Sequence, residues 1–91
     1  MTETGKITWD ENTQKIFSQI LEQIPAMVRP IAEIRIVKKV ESVLAQANRF
    51  IVSEKDLIDA FFAETPPGFV PLMKKGMETL GIDYTKYGHA K

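Results

Sequence analysis

The sequence predicts an all-α fold, a small four-helix domain with a long central helix. Apolar residues recur at helical spacing in four separate stretches, and proline, glycine or asparagine separates these stretches. With 91 residues, 44% of them hydrophobic and 26% charged, the chain has the composition of one small globular domain. We expect this domain to span residues 8–82, between a flexible N-terminus at 1–7 and a flexible C-terminal tail at 83–91.

The first helix is predicted to start at Thr8, whose hydroxyl is placed to accept a hydrogen bond from the Glu11 amide in a capping box. It is expected to run for about four turns. Its apolar face is formed by Trp9, Ile16, Phe17, Ile20, Leu21 and Ile24. A tight corner follows at residues 25–29, because Pro30 favours extended backbone at Arg29.

The central helix is predicted over residues 30–48, with Pro30 as a tolerated first residue and Asn48 as a left-handed stop. At 100° per residue its apolar side chains fall within an arc of roughly 200°. The arc contains Ala32, Ile34, Ile36, Val37, Val40, Val43, Leu44 and Ala47. The opposite face contains Arg35, Lys38, Lys39, Ser42 and Gln46. An arc this wide predicts other helices on both flanks.

Two further helices complete the domain. Residues 53–56 resemble a second capping box and start the third helix. The break at residues 66–68 separates it from a fourth helix that begins at Pro71. Met73 and Met77 give the fourth helix an adaptable face, for which core packing and contact with a partner are both open interpretations.

Composition narrows the classes of partner and of cofactor. Twelve basic residues balance twelve acidic ones, so we expect neither nucleic acid nor a membrane surface as the partner. The absence of cysteine excludes disulfides and cysteine-held metal sites on this chain. No apolar run approaches about 20 residues, and the N-terminus lacks a signal-peptide pattern, so we expect a cytoplasmic protein.

The ionisable residues do not form a recognisable catalytic pattern. A glycine-rich phosphate loop does not occur, and the acidic residues fall at helix starts, where capping explains them. His89 is the only histidine, and it lies in the predicted tail, which cannot hold a catalytic group rigidly. A docked tail would make His89 a candidate axial ligand for a metal or haem-like ring. We predict no catalytic, cofactor-binding or metal-binding residue, and leave open whether the chain is an enzyme.

Four short patterns lie in order between residues 8 and 62. They are Trp9 opening a helix, Ile24–Pro25 followed by Val28–Arg29, Val40–Glu41 with Ala45, and Ile51–Ser53 leading to Asp56–Leu57 and Ala60. In this order they resemble the C-terminal domain of light-independent protochlorophyllide reductase. Asn48 stands where that family usually has glycine, and residues 66–91 lie outside the resemblance.

The resemblance implies a compact helical domain that occurs either fused to a nitrogenase-like reductase component or alone. The fused enzyme reduces a ring double bond of protochlorophyllide with iron–sulfur clusters and ATP-driven electron delivery. Its cluster ligands and catalytic acid belong to the large component, which is absent here. The resemblance therefore implies a non-catalytic interaction or accessory module, without a cofactor of its own, that serves a nitrogenase-like redox or tetrapyrrole system.

The helix order also resembles the histone fold, as does the segment FIVSEKDLIDAF at residues 50–61. The alternative function is therefore a histone-fold-like dimerisation module, with or without DNA contact. We expect a protein partner and a monomeric chain, with a homodimer as the alternative. The candidate interaction residues are Arg29, Arg35, Lys38, Lys39, Glu41, Met73 and Met77. For the basic residues among them, a solvated helix face is the competing interpretation.

Overall fold

A computed structural model describes residues 7–91 and confirms a small all-α domain. The described elements are β1 (Thr8–Trp9), α1 (Glu11–Glu22), α2 (Arg29–Ala47), β2 (Ile51–Val52), α3 (Glu54–Glu64) and α4 (Val70–Thr79). Short 3₁₀ turns occur at Pro67–Phe69 and Tyr84–Tyr87. Apart from residue 7, the predicted flexible N-terminus lies outside the described residues.

The chain enters the domain as a strand, whereas the sequence predicted a helix start. Thr8 and Trp9 pair in parallel with Ile51 and Val52, so that β1 and β2 form a two-stranded sheet. The Thr8 amide also donates to the Phe50 carbonyl at 2.7 Å. The strand pair thus ties the segment before α1 to the segment after α2.

The predicted capping box at Thr8 is wrong because Asp10 caps α1 instead. The Asp10 carboxylate accepts from the backbone amides of Asn12 at 3.1 Å and Thr13 at 3.3 Å. Aspartate is a strong N-cap residue and lies directly before the first helical residue. Capping at Asp10 leaves the backbone of Thr8 available for the strand pair.

The central helix has nearly the bounds that the sequence predicts. Pro30 lies in its first turn, and Asn48 ends it with a φ of 58° in the left-handed region. Arg29, predicted to be extended, is instead the first helical residue. Its Nε donates to the Leu21 carbonyl and its Nη2 to the Ile24 carbonyl, both at 2.9 Å. These two bonds hold the corner between α1 and α2 and account for the helical conformation of Arg29.

The buried part of α2 is a narrower stripe than predicted. Ile36, Val40 and Leu44 are at most 2% exposed and contact α1 and α3, whereas Ile34 is 56% exposed. Residues four apart on a helix differ by only about 40° in direction, so two neighbouring helices are enough to cover this stripe. The full buried core comprises Phe17, Ile20, Leu21, Ile36, Val40, Leu44, Val52, Leu57, Ile58, Ala60, Phe61, Met77, Ile82 and Tyr84.

Trp9 packs at the entrance of the core. Its ring stacks on Phe17 with 5.2 Å between ring centroids and 10° between ring planes. Phe17 in turn meets Phe61 of α3 edge to face at 5.9 Å. This aromatic chain connects β1 through α1 to α3 and gives Trp9 a packing role.

Gly76 allows α4 to approach the end of α1 closely. A Cβ added at Gly76 would lie 3.3 Å from both Cβ and Cγ of Gln23, and the neighbouring Met77 is fully buried. Glycine in the middle of a helix costs about 1 kcal/mol relative to alanine. The close approach explains why this position carries glycine.

We predict that Gly76→Leu lowers the free energy of unfolding by about 1–3 kcal/mol, because the added side chain must displace Gln23 or α4. Urea denaturation followed by circular dichroism measures this loss. Gly68→Leu is the matched control, since nothing lies within 4 Å of a Cβ built at Gly68. Equal midpoints for the two variants would show that α4 does not pack here as described.

Candidate interaction surface

Apolar side chains are exposed along α2 and the corner before it. Met27 is 91% exposed, Ile31 57% and Ile34 56%, and Val28 is 48% exposed. Because a helix turns 100° per residue, Ile34 lies about 160° around α2 from the buried Ile36. We call the exposed row the outer face. It consists of Met27, Ile31, Ile34, Lys38, Glu41 and Ala45.

Charged residues flank the apolar part of the outer face. Arg35 and Lys38 are exposed, and neither makes an ion pair with another residue between 7 and 91. Glu41 lies one turn beyond Lys38 and is half-buried. Apolar side chains bordered by charged ones are typical of protein interfaces. Arg35, Lys38, Lys39 and Glu41 therefore stay candidate contact residues.

The other candidate interaction residues have roles inside the chain. Met77 is fully buried, which contradicts a direct contact with a partner, and Met73 packs half-buried beside it, near the Thr65 hydroxyl. The reason is that α4 turns its methionine face toward the core. Arg29 holds the corner before α2.

Met27 and Ile31 were not predicted from the sequence as surface candidates. Ile34 was assigned to the apolar arc, and another helix was expected to cover it. The available signal was the width of the arc, which exceeds what α1 and α3 cover. Apolar residues on two sides of one helix indicate either a second layer of the fold or an exposed contact surface.

Arg49 and Asp56 join the loop after α2 to the start of α3. Arg49 donates from Nη1 to Oδ1 of Asp56 at 2.9 Å and from Nη2 to Oδ2 at 2.6 Å. Asp56 also accepts from the Ser53 amide and hydroxyl, both at 2.9 Å, while its own amide donates to the Ser53 Oγ. The capping box predicted at residues 53–56 is confirmed. Its extension to Arg49 was not predicted.

These contacts shift both pKa values. Burial by itself raises the pKa of Asp56, but the hydrogen bonds from Arg49 and Ser53 and the charge of Arg49 outweigh it, so the net pKa is lowered. The hydrogen bond and charge of Asp56 raise the pKa of Arg49. A carboxyl whose pKa is lowered by folding stabilises the protein above its unfolded pKa, and this contribution is lost as the pH falls through the folded value.

The C-terminal segment packs on the domain, which corrects the prediction of a flexible tail at 83–91. Gly81, with a φ of 78°, turns the chain back after α4. Tyr84 then enters the core at 1% exposure, and its hydroxyl donates to the Glu78 carboxylate at 2.6 Å. The hydrogen bond to Glu78, together with burial, raises the pKa of Tyr84 to about 12. Burial of this large side chain explains why the segment docks.

Tyr87 and His89 attach the same segment to α3. The Tyr87 hydroxyl donates to Glu54 at 2.8 Å, and burial and this bond raise the pKa of Tyr87 to about 12. The His89 ring stacks on Phe62 with centroids 4.0 Å apart, and its Nε2 lies 2.6 Å from Asp59 Oδ1. This histidine nitrogen is therefore engaged by a carboxylate of the same chain, instead of being directed to a metal or haem-like ring.

Two open depressions adjoin the docked C-terminal segment. The larger, of about 490 Å³, is lined by Pro71, Lys74, Lys75, Glu78, Tyr84 and Lys91. The smaller, of about 220 Å³, is lined by Glu78, Gly81, Ile82, Asp83, Tyr84, Thr85 and Lys91. Between residues 7 and 91, no three His, Cys, Asp or Glu side chains are grouped to hold a metal ion. In the same part of the chain, no helix has the length and apolarity that a bilayer crossing requires.

We predict that Asp56→Asn flattens the acid side of the stability profile. In the wild type, the Asp56 contribution is present above about pH 4, near the pKa of an unfolded aspartate, and disappears as the pH falls further. The variant is expected to be less stable at pH 7 and to lose less on acidification, as measured by urea unfolding at a series of pH values. Glu33→Gln, at an exposed carboxylate, should keep the wild-type slope.

We predict that Tyr84→Ala destabilises the protein by about 3–5 kcal/mol, because it empties a large buried site. Tyr84→Phe should cost only about 1 kcal/mol, since it removes the hydroxyl bond to Glu78 alone. Thermal and urea unfolding measure both values, and Lys86→Ala at an exposed position serves as control. Wild-type stability in Tyr84→Ala would mean that the segment does not contribute to the core.

Comparison with known proteins places the chain in a family. A search of the curated proteins and a search of the solved structures each found no match. Residues 1–90 match the family described as "Protein of unknown function (DUF2621)". The match covers almost the whole chain, and the protein therefore belongs to the DUF2621 family.

Proposed function

We propose that the chain is a non-catalytic interaction module that binds a protein through the outer face of α2. The observation that carries this proposal is the exposure of Met27, Ile31 and Ile34, each more than half accessible, on a helix whose other side is buried. Full burial of an isoleucine side chain is worth about 1.5–3 kcal/mol, so covering two half-exposed isoleucines favours association.

The ionisable groups elsewhere support a structural role for the chain's polar chemistry. Asp10, Asp56 and Asp83 cap helices or turns. Arg29 and Arg49 bind backbone carbonyls and a carboxylate at the two ends of α2. The strongly held polar groups are thus used to fix the fold, and the accessible apolar surface is what the molecule offers to others.

The wider context of the proposal comes from the resemblance to the C-terminal domain of light-independent protochlorophyllide reductase. On this basis the module serves a nitrogenase-like redox or tetrapyrrole system, and iron–sulfur clusters and ATP belong to the larger enzyme. Among the residues that carry the resemblance, Trp9, Arg29 and Asp56 stack, clamp and cap within the chain. They support a shared fold more than a shared activity.

The histone-like alternative requires a different contact surface from the one that histone-fold chains use. Such chains cover their central helix by crossing it with that of a second copy. Here α1 and α3 of the same chain already contact α2, and β2 is already paired with β1. A dimer of this chain would therefore have to use the outer face.

We predict that a photo-crosslinking residue at position 34 captures a protein, because this position lies within the exposed apolar surface. The full chain carrying Ile34→p-benzoylphenylalanine is irradiated in extract of the native cells, and adducts are identified by mass. The same residue in place of Gln14, which is exposed on α1, is the matched control.

Adding Ile31→Asp should abolish the adduct formed at position 34 while the helical circular dichroism and melting temperature stay near the wild-type values. Equal adduct yields at positions 34 and 14, or an unchanged yield after Ile31→Asp, would contradict the proposal. Adducts with a second copy and with another protein have different masses, so both kinds of partner are recognised.

A further inference from the structure

We infer that the outer face is covered by a second copy of this chain, with the two α2 helices antiparallel about a two-fold axis. This inference rests on the proposed function and names its partner. The outer-face residues follow one another at alternating steps of four and three positions: 27, 31, 34, 38, 41 and 45. This alternation is the spacing at which one helix presents a continuous seam to another.

The charges at the middle of the seam complement each other in an antiparallel pair. When Lys38 lies opposite Glu41 of the second copy, the two-fold axis places Glu41 opposite Lys38 of that copy as well. The same alignment sets Ile34 opposite Ala45. Two identical ion pairs therefore form at the centre. In a parallel pair, Lys38 would face Lys38 and Glu41 would face Glu41.

The neighbouring antiparallel alignment is less favourable. Shifting the copies by one heptad sets Ile34 opposite Lys38 and Ile31 opposite Glu41, which removes water from charged groups without pairing them. Lys38 is exposed and makes no ion pair with the described part of its own chain, so it is available for a partner. The charges thus favour the alignment that pairs Lys38 with Glu41.

The ends of α2 support the antiparallel orientation. Met27, Val28 and Ile31 are exposed at its N-terminal end, and Phe50 and Ile51 are 55% and 65% exposed just beyond its C-terminal end. An antiparallel pair brings the first of these ends beside the second end of the other copy. Exposed apolar residues at both ends then flank the charged centre.

The expected affinity is modest. α2 has 19 residues, and at 1.5 Å per residue it is about 28 Å long. One such helix per copy, with the flanking residues, gives an interface at the small end of the range for specific complexes. We therefore expect a dimer dissociation constant in the micromolar range, and the measurement must extend to millimolar protein.

Sedimentation equilibrium of the purified full chain, from about 1 μM to 1 mM, tests the inference. The wild type is expected to shift from monomer to dimer. Lys38→Glu and Glu41→Lys should each raise the dissociation constant about tenfold, because two like-charge contacts replace two opposite-charge contacts. The double variant should return to the wild-type value. Lys75→Glu, at an exposed position on α4, should have no effect.

A mixture of the two single variants gives the sharpest result. Lys38→Glu in one copy and Glu41→Lys in the other leave each contact between the two positions with like charges in one direction only when the copies self-associate, whereas the mixed pair sets Glu at position 38 of one copy opposite Lys at position 41 of the other. The remaining contact of the mixed pair joins the native Glu41 of the first copy to the native Lys38 of the second. The mixture should therefore dimerise about as tightly as the wild type, although each variant alone does so weakly. A partner other than a second copy gives no reason for this rescue.

Two results would overturn the inference. One is a wild-type monomer at every concentration, and the other is a dimer whose dissociation constant does not respond to the charge variants. Neither result by itself removes the proposed function, because a crosslink from position 34 to a different protein would still support it. Conversely, a charge-sensitive dimer that gives no adduct with another protein identifies the module's partner as itself.

Discussion

α2 carries apolar side chains around more of its circumference than the rest of this small chain covers, and the architecture follows from this constraint. α1 and α3 cover the stripe of Ile36, Val40 and Leu44, while Ile31 and Ile34 stay more than half exposed. A domain of about 90 residues has few other elements to add. The fourth helix and the C-terminal segment pack instead beside α1 and α3. The uncovered apolar side of α2 is the direct result.

The ends of α2 are fixed by two arginines that do different work. Arg29 binds two carbonyl groups in the corner before the helix, and Arg49 binds the carboxylate that caps α3. Both contacts are charge-assisted and therefore stronger than neutral hydrogen bonds. A helix anchored at both ends presents its outer face in a single conformation. Binding to such a rigid surface loses little conformational entropy, which compensates in part for a small contact area.

The features that were predictable from the sequence depend on signals within a few residues. The stop at Asn48 and the capping box of Ser53 and Asp56 involve close neighbours, and both occur in the structure. The features that were missed join distant parts of the chain, as in the bond between Tyr87 and Glu54, 33 residues apart. Spacing and periodicity cannot reveal which strand pairs with which, or where a short C-terminal segment docks. For the same reason Ile34 was placed on an apolar arc but assigned the wrong neighbour.

The residues that shape this fold and the residues that it presents to others are largely separate sets. Trp9, Arg29 and Asp56 belong to the patterns shared with the protochlorophyllide reductase domain, and each is engaged within the chain. Ile31, Ile34 and Lys38, which form much of the outer face, lie outside those patterns. A fold can be kept while the surface that determines its partner changes. The nature of the partner must therefore be inferred from the outer face, where opposite charges one turn apart between apolar ends complement a second copy of the same surface.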